Sequence, residues 1–533
     1  MVVNHSPVKY GLVLAAKYAI NYVGLGSLFY LQTTFFLGGV RAVLAPLSIF
    51  IGVIGLIEVL WYLLWFLPYR AHLQRPGLRM APTTRAQRKA LIEMSLDQVP
   101  DVRLFVRKWF DNAHLDEIYR DDVKDWLLWA LWGTDSEAGI EADELEEYIV
   151  IVEEKGKLTL PKGRAGAKPI RLNLDPVQML HKSLLFYTII GFIDTTATLY
   201  LMVKGFSFYR QPRLSFFKVF PFRPTTIFSP KQSASPQFSY FYRPHKSKTH
   251  RPIVFCHGFG IGLPTYISWL SSIPNDIGVL ALEILPVSGR ICPEAVGPRD
   301  YQQAMRQILL QQGIQDFVFV GHSYGTLLAR PLLDDPVLAP MVNSLVLCDP
   351  VAIMLHLPNV AYNMTRRVPT TAPELQISFG AAMDPRIAHT VCRRFHWPEH
   401  ILFRETLMGK RTTAVVASHD CVINADAVAG YVYYGDANYI TSADLEELRK
   451  TPELWTGQAE LELMYLHDRD HGQSLLNPAE ARKVTIVVET YARLELAPDP
   501  RLEVDTAADQ SWESAEKGSI ISRISEVSAA EVV

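Results

Sequence analysis

"DFVFVGHSYGTLLARPLL", Asp316 to Leu333, decides how this chain is read. "DFVFV" has the unbroken apolar run of a strand buried on both faces. Gly321-His322-Ser323-Tyr324-Gly325 then fits G-x-S-x-G, and a helical run follows. Strand, sharp turn and helix form the context in which this pentapeptide predicts a nucleophile elbow. The reason is steric. A serine at the apex of so tight a turn has strained backbone dihedrals, so the residues two before and two after must be small. The turn lifts the Ser323 hydroxyl clear of the sheet. It also aims a helix N-terminus at the negative charge that develops during acyl transfer.

A second signal lies upstream. "RPIVFCHGFGIG" reads as a strand, Ile253 to Cys256, running into His257-Gly258-Phe259-Gly260. Small residues there let backbone amides approach a tetrahedral oxyanion, and the expected donors are the N–H groups of Phe259 and Tyr324. A dinucleotide-binding loop fails on spacing. Gly258 and Gly260 would need a third glycine at 263, which is leucine.

From Ile253 to about Leu496 the chain resembles the α/β-hydrolase superfamily, in its serine-hydrolase branch. The helical block before it, with "DDVKDWLLWAL", resembles membrane-anchored fungal members. The superfamily implies an α/β fold: a mostly parallel sheet with helices on both faces and an inserted lid. It also implies a nucleophile, an acid and a histidine in the order Ser, Asp/Glu, His, each at a strand end. Two aspartates compete for the acid. Asp349 ends the strand-like "NSLVLCD" and Asp420 ends "RTTAVVASHD". In most members the acid follows the later strand, so Asp420 is expected and Asp349 is the alternative. With Pro350, Asp349 reads equally as the turn into a lid at about 351–407. That stretch holds Arg366-Arg367 and "CRRFHWPEH", whose Arg393 and Arg394 read as ion-pairing residues or as contacts to an anionic head group.

The histidine falls in "LMYLHDRDHG", Leu463 to Gly472. His471, in the loop before Gly472, matches the superfamily pattern; His467 sits too close to the strand end. The two are four apart, which would align metal ligands on a helix, but Gly472 and Pro478 argue against a helix there. No metal and no cofactor is expected. The residues predict a Ser323–His471–Asp420 serine hydrolase acting on a lipid or other apolar ester through an acyl-enzyme. An acyltransferase using the same triad is one alternative. A non-catalytic membrane-bound scaffold is the other.

Composition bounds the remainder. The chain has 533 residues, is 49% hydrophobic and carries a formal net charge of −3, which gives no electrostatic case for nucleic acid. Its 25 Phe, 23 Tyr and 10 Trp suit a protein in contact with lipid. Residues 1–75 predict a transmembrane hairpin with helices at about 18–40 and 43–67, turning near Gly38-Gly39. "VLAPLSIFIGVIGLIEVLWYLLWFL" carries one charge, Glu58, which nothing in the sequence accounts for. Lys17 argues against a signal peptide. Arg70, Arg75, Arg79, Arg85, Arg88 and Lys89 follow, so the positive-inside rule puts that flank, and the catalytic part, in the cytosol. The five cysteines read as reduced thiols.

Residues 76–205 read as a helical region, either a layer on the main domain or a membrane-associated one. "LLFYTIIGFIDTTATLYLMV", Leu184 to Val203, is long enough to span, but Asp194 makes a surface or packing helix equally consistent. The hydrolase domain is expected over 206–496 and a disordered tail over 497–533.

Overall fold

The structure is a computed structural model that describes residues 6–435, 446–447 and 455–494; the tail expected from 497 lies outside the described residues. Among the described residues the sheet has eight strands. They are β1 (Ser207–Tyr209), β2 (Ser239–Arg243), β3 (Ile253–Cys256), β4 (Val279–Glu283), β5 (Phe317–His322), β6 (Val342–Cys348), β7 (Arg411–Ala417) and β8 (Leu461–Leu466). Their order is β1-β2-β4-β3-β5-β6-β7-β8. β1 and β2 pair antiparallel at one edge, and β4 through β8 run parallel.

The apolar runs follow from burial on both faces. Cys256, Phe319, Leu347, Val416 and Tyr465 point into one core, and Phe255, Val320, Val346, Val415 and Met464 into the other. The register aligns the strand ends. Gly321 pairs with Cys256 on one side and Leu347 on the other, and Ala417 pairs with Leu466. Whatever follows β3, β5, β6, β7 and β8 therefore meets along one rim.

The N-terminal helices depart from the expected boundaries. They are α1 (Pro7–Asn21), α2 (Val23–Val43) and α3 (Pro46–Leu60), which runs on through a π-helical turn, Trp61–Phe66, to Leu73. The first helix expected at 18–40 is thus two helices with a break at Tyr22. The reversal lies at Leu44–Ala45, not at Gly38-Gly39. Gly39, at φ +63°, only kinks α2, whereas Pro46 has no N–H to continue a helix and opens the next one. α2 and α3 approach closely through small residues: a Cβ on Gly55 would stand 2.7 Å from the Ser27 Cβ.

The helical region comprises α4 (Arg85–Asp97), α5 (Val102–Trp109), α6 (Arg120–Trp132) and α7 (Ala142–Gly156). Trp109, Trp126 and Trp129 are buried in the core shared with one face of the sheet. They face the protein and not a bilayer.

α8 (Leu184–Val203) packs along the opposite face. α2, Pro46–Leu73 and α8 are each long and apolar enough to cross a membrane, yet 39% of the α8 apolar window is buried against 6% of that in α2. The reason is Asp194. It pairs with Arg223 at 2.9 Å and with Arg290 at 2.6 Å, while Arg223 grips Glu283 of β4 at 2.7 Å. Glu58 of α3 also finds its role here: its carboxylate accepts the free N–H groups of Leu184 and Leu185 and caps α8.

Candidate active site

β5 delivers the strained serine. Ser323 has φ +52° and is 4% exposed. A Cβ on Gly321 would meet the Gly325 carbonyl oxygen at 2.9 Å, and one on Gly325 would lie 2.0 Å from the Cys256 oxygen. Only glycine fits at both positions, so the turn can close with Ser323 at its apex.

β7 and β8, adjacent and in register, bring Asp420 and His471 to the serine. Asp420 Oδ1 accepts the N–H groups of Val422 at 2.7 Å and Ile423 at 3.0 Å, which fixes the carboxylate. Its Oδ2 lies 2.7 Å from His471 Nδ1, and His471 Nε2 lies 2.8 Å from Ser323 Oγ. With Nδ1–H donated to Asp420, Nε2 is left to accept the Ser323 hydroxyl proton. Burial disfavours the imidazolium, but the charge and hydrogen bond of Asp420, with Asp349 and Asp470 behind it, raise the His471 pKa to about 9.

Asp349 is close by and differently engaged. It follows β6 with φ +46° and is fully buried. Its Oδ2 accepts Gly472 N–H at 2.8 Å, the Ser474 hydroxyl at 2.7 Å and His322 Nε2–H at 3.1 Å. No hydrogen bond joins it to His471. Burial opposes its charge, yet the His322 hydrogen bond and the nearby His471 keep its pKa below the ordinary value. Burial outweighs that carboxylate and lowers the His322 pKa from its ordinary value. Its Nδ1 accepts the Tyr266 hydroxyl at 2.7 Å, and Tyr266 oxygen accepts Gly258 N–H at 3.2 Å. One relay therefore ties the Phe259 loop, the elbow and the His471 loop together. Sequence reasoning passed over His322, Tyr266 and Ser474. His322 is the variable position of G-x-S-x-G, and Tyr266 and Ser474 meet it and Asp349 only through the fold.

The Phe259 loop is set as tightly. A Cβ on Gly258 would lie 2.8 Å from the Ser323 Cβ. His257 accepts Ile284 N–H at 3.0 Å through Nε2 and faces the Gly258 carbonyl at 2.8 Å through Nδ1; burial lowers its pKa to about 4. The Phe259 and Tyr324 rings lie 4.8 Å apart, so the loop after β3 packs on the elbow.

The polar residues of the stretch from Leu463 to Gly472 separate. Asp470 is buried and accepts both His471 N–H at 2.7 Å and Cys421 N–H at 3.1 Å, which ties the histidine loop to the Asp420 loop. Asp468 is exposed, and its N–H donates to the Ser418 hydroxyl at 2.9 Å. His467 is half-buried against Tyr465, ring centroids 5.3 Å apart.

In the inserted stretch, buried Arg393 donates to the carbonyls of Leu172, Asp175 and Arg75, and Arg394 to that of Ala295. Both arginines are structural, so neither offers itself to a head group. α1 rests on Ala372–Ile377 of this stretch, with Tyr10 donating to the Pro369 carbonyl at 3.4 Å.

Residues 253–508 match the profile of the alpha/beta hydrolase family. No curated protein sequence matches the chain. Among solved structures, a membrane phospholipase A described as a bacterial virulence factor shares 13% identity, covers 58% of this chain and 94% of its own, and superposes with a TM-score of 0.36. An esterase from Rhodococcus sp. shares 15% identity over 47% of this chain and 96% of its own, with a TM-score of 0.31. The naproxen esterase of Bacillus subtilis shares 12% over 47% and 88%, with a TM-score of 0.30.

Proposed function

The chain belongs, over residues 253–508, to the alpha/beta hydrolase family, and from that premise we propose that it is a membrane-anchored serine hydrolase of apolar esters. The observation that carries this reading is the bridging position of His471, 2.8 Å from Ser323 Oγ and 2.7 Å from Asp420.

The reaction follows from those contacts. As Ser323 Oγ attacks the ester carbonyl, His471 Nε2 takes its proton and Asp420 stabilises the imidazolium. The carbonyl oxygen becomes an oxyanion and is met by the N–H groups of Phe259 and Tyr324. Collapse breaks the ester C–O bond, and the leaving alkoxide recovers the proton from Nε2. Water, deprotonated by the same nitrogen, then releases the acid from Ser323. Asp349, through Gly472 and Ser474, keeps the His471 loop in place while the imidazole changes charge.

An apolar substrate is supported by what surrounds the site. Phe186, Tyr187 and Ile190 of α8 pack with Ile20 and Trp61 of the anchoring helices and with Ile261, two residues beyond Phe259. The loop after β3 is therefore in contact with the same apolar cluster that holds the hairpin. The basic run after Leu67 supports a cytosolic active site. An active-site fluorophosphonate probe tests the reading. We expect labelling of the wild type that disappears in Ser323→Ala; folded wild type that takes no label overturns it.

A further inference from the structure

We infer that the catalytic domain has a second membrane contact, made by the outer side of α8 and the segment from Arg213 to Phe228, and that α8 lies along the bilayer surface and does not cross it. This rests on the hairpin being membrane-embedded, not on the catalytic reading.

Two short helical turns, Arg213–Lys218 and Pro224–Phe228, hold large apolar side chains outward. Leu214 and Phe217 are each 75% exposed, and Phe228 79%. They are not loose. Phe216 stacks on Phe222 at 5.0 Å, and Arg223 between the two turns is buried in its pairs with Asp194 and Glu283. A water-facing loop has no reason to fix such side chains away from its core; a loop that meets acyl chains does.

The patch is continuous with the anchor. Trp61 of the hairpin packs on Phe220 at 5.7 Å and donates its indole N–H to the Lys182 carbonyl at 3.0 Å, just before α8. α8 extends the patch. Its buried positions, Phe186, Ile190, Asp194, Ala197 and Leu201, recur at helical spacing and face the protein. Its outer side carries Phe192, 73% exposed, Leu199 and Val203, 84% exposed. Thr188, Thr195 and Thr196 also face out, but their hydroxyls donate to carbonyls four residues back in the helix, so their methyl groups are presented. Exposed Lys204, Arg213 and Lys218 border the patch, where cations meet lipid phosphates.

Crossing is inconsistent with the packing. Asp194 is bonded to Arg223 and Arg290, and Arg223 to Glu283 on β4, so a transmembrane α8 would carry the sheet into hydrocarbon. Lying flat, α8 keeps that charge cluster in the protein and only its apolar side in lipid.

The test uses the full-length protein in phosphatidylcholine–phosphatidylserine vesicles. An environment-sensitive fluorophore is placed on Phe217→Cys or Phe228→Cys, with depth read from quenching by spin-labelled lipids and unsubstituted protein as background. Phe50→Cys on the hairpin, 63% exposed, is the embedded reference. Leu310→Cys, 83% exposed on a helix that packs on the sheet's other face, is the aqueous one. We expect Phe217→Cys and Phe228→Cys to be quenched at a depth of about 5–10 Å, as for an interfacial element, and Leu310→Cys to be unquenched. If both patch sites behave like Leu310→Cys while Phe50→Cys is quenched, the second contact is overturned and the anchor stands. If Phe50→Cys is also unquenched, both fall. Neither outcome touches the hydrolase reading, because the measurement involves no turnover.

Discussion

Asp349 and Asp420 follow neighbouring parallel strands, and both side chains are fully buried, yet only one is bonded to His471. Asp420 divides its oxygens: one is pinned by two backbone N–H groups, the other faces the imidazole. Asp349 gathers His322, Gly472 and Ser474 on a single oxygen, while its Oδ1 has no hydrogen-bond partner. The strand order explains the split. β7 is the neighbour of β8, so the Asp420 loop lies beside the His471 loop; β6 is one strand further in, and Asp349 reaches only that loop's backbone. One carboxylate meets the imidazole, and the other holds the backbone of its loop.

The comparison can be tested by removing its parts, beginning with the group both aspartates serve. His471→Ala should cost about 10⁶-fold in kcat toward a short-chain ester, as loss of a triad member does. Asp420→Asn should cost about 10⁴-fold, with the melting transition unchanged above about pH 9 where the imidazolium contribution is gone, because the imidazole loses its tautomer and counter-charge. Asp349→Asn should invert that pattern. We expect a smaller loss of kcat but destabilisation of about 1–3 kcal/mol in denaturant titration, since a buried acceptor of three donors is replaced. If Asp349→Asn lowers kcat more than Asp420→Asn, the two roles are exchanged.

The pH dependence separates activity from stability. The base must be neutral, so kcat/KM should rise as pH rises toward the His471 value of about 9, and that limb should move to lower pH in Asp420→Asn. Linkage runs the other way. A folded-state value raised from the ordinary 6.5 to about 9 stabilises the fold fully below pH 6.5, and that contribution is lost as pH rises through about 9. Melting temperatures across the same range check the sign. His467→Ala, at the small end, should leave kcat/KM unchanged and stability within about 0.5 kcal/mol.

The elbow was legible because everything that makes it is local: an apolar strand, Ser323 and glycines two residues to either side. The order of Ser323, Asp420 and His471 was legible through resemblance, since three strand ends far apart in sequence carry no spacing rule of their own. Asp420 was expected over Asp349 on resemblance alone; that β7 and not β6 is the neighbour of β8 is not printed in the sequence. The His322–Tyr266–Gly258 relay was invisible for the same reason. Tryptophans of α6 at helical spacing suit a protein core or a bilayer equally, and only packing shows that they turn inward. The hairpin reversal was misplaced because a glycine pair looks like a turn, while Pro46, which opens α3, reads as one apolar residue in a long run. The segment 213–228 falls within the expected hydrolase domain, and no stretch of it is long enough to suggest a membrane.

Glu58 has one further consequence. An ordinary anchor is a tether: it sets where an enzyme is and leaves it free to tumble. Here the carboxylate of α3 is fastened to the first turn of α8, and α8 is riveted through Asp194 to the sheet and to the Arg290 turn. That turn is in contact with the oxyanion loop, where Val287 accepts the Gly260 N–H at 3.2 Å. On the proposed membrane reading the anchor is a bracket: it would set the height and tilt of the rim over the lipid, and the bilayer would serve as a reference plane as well as an address.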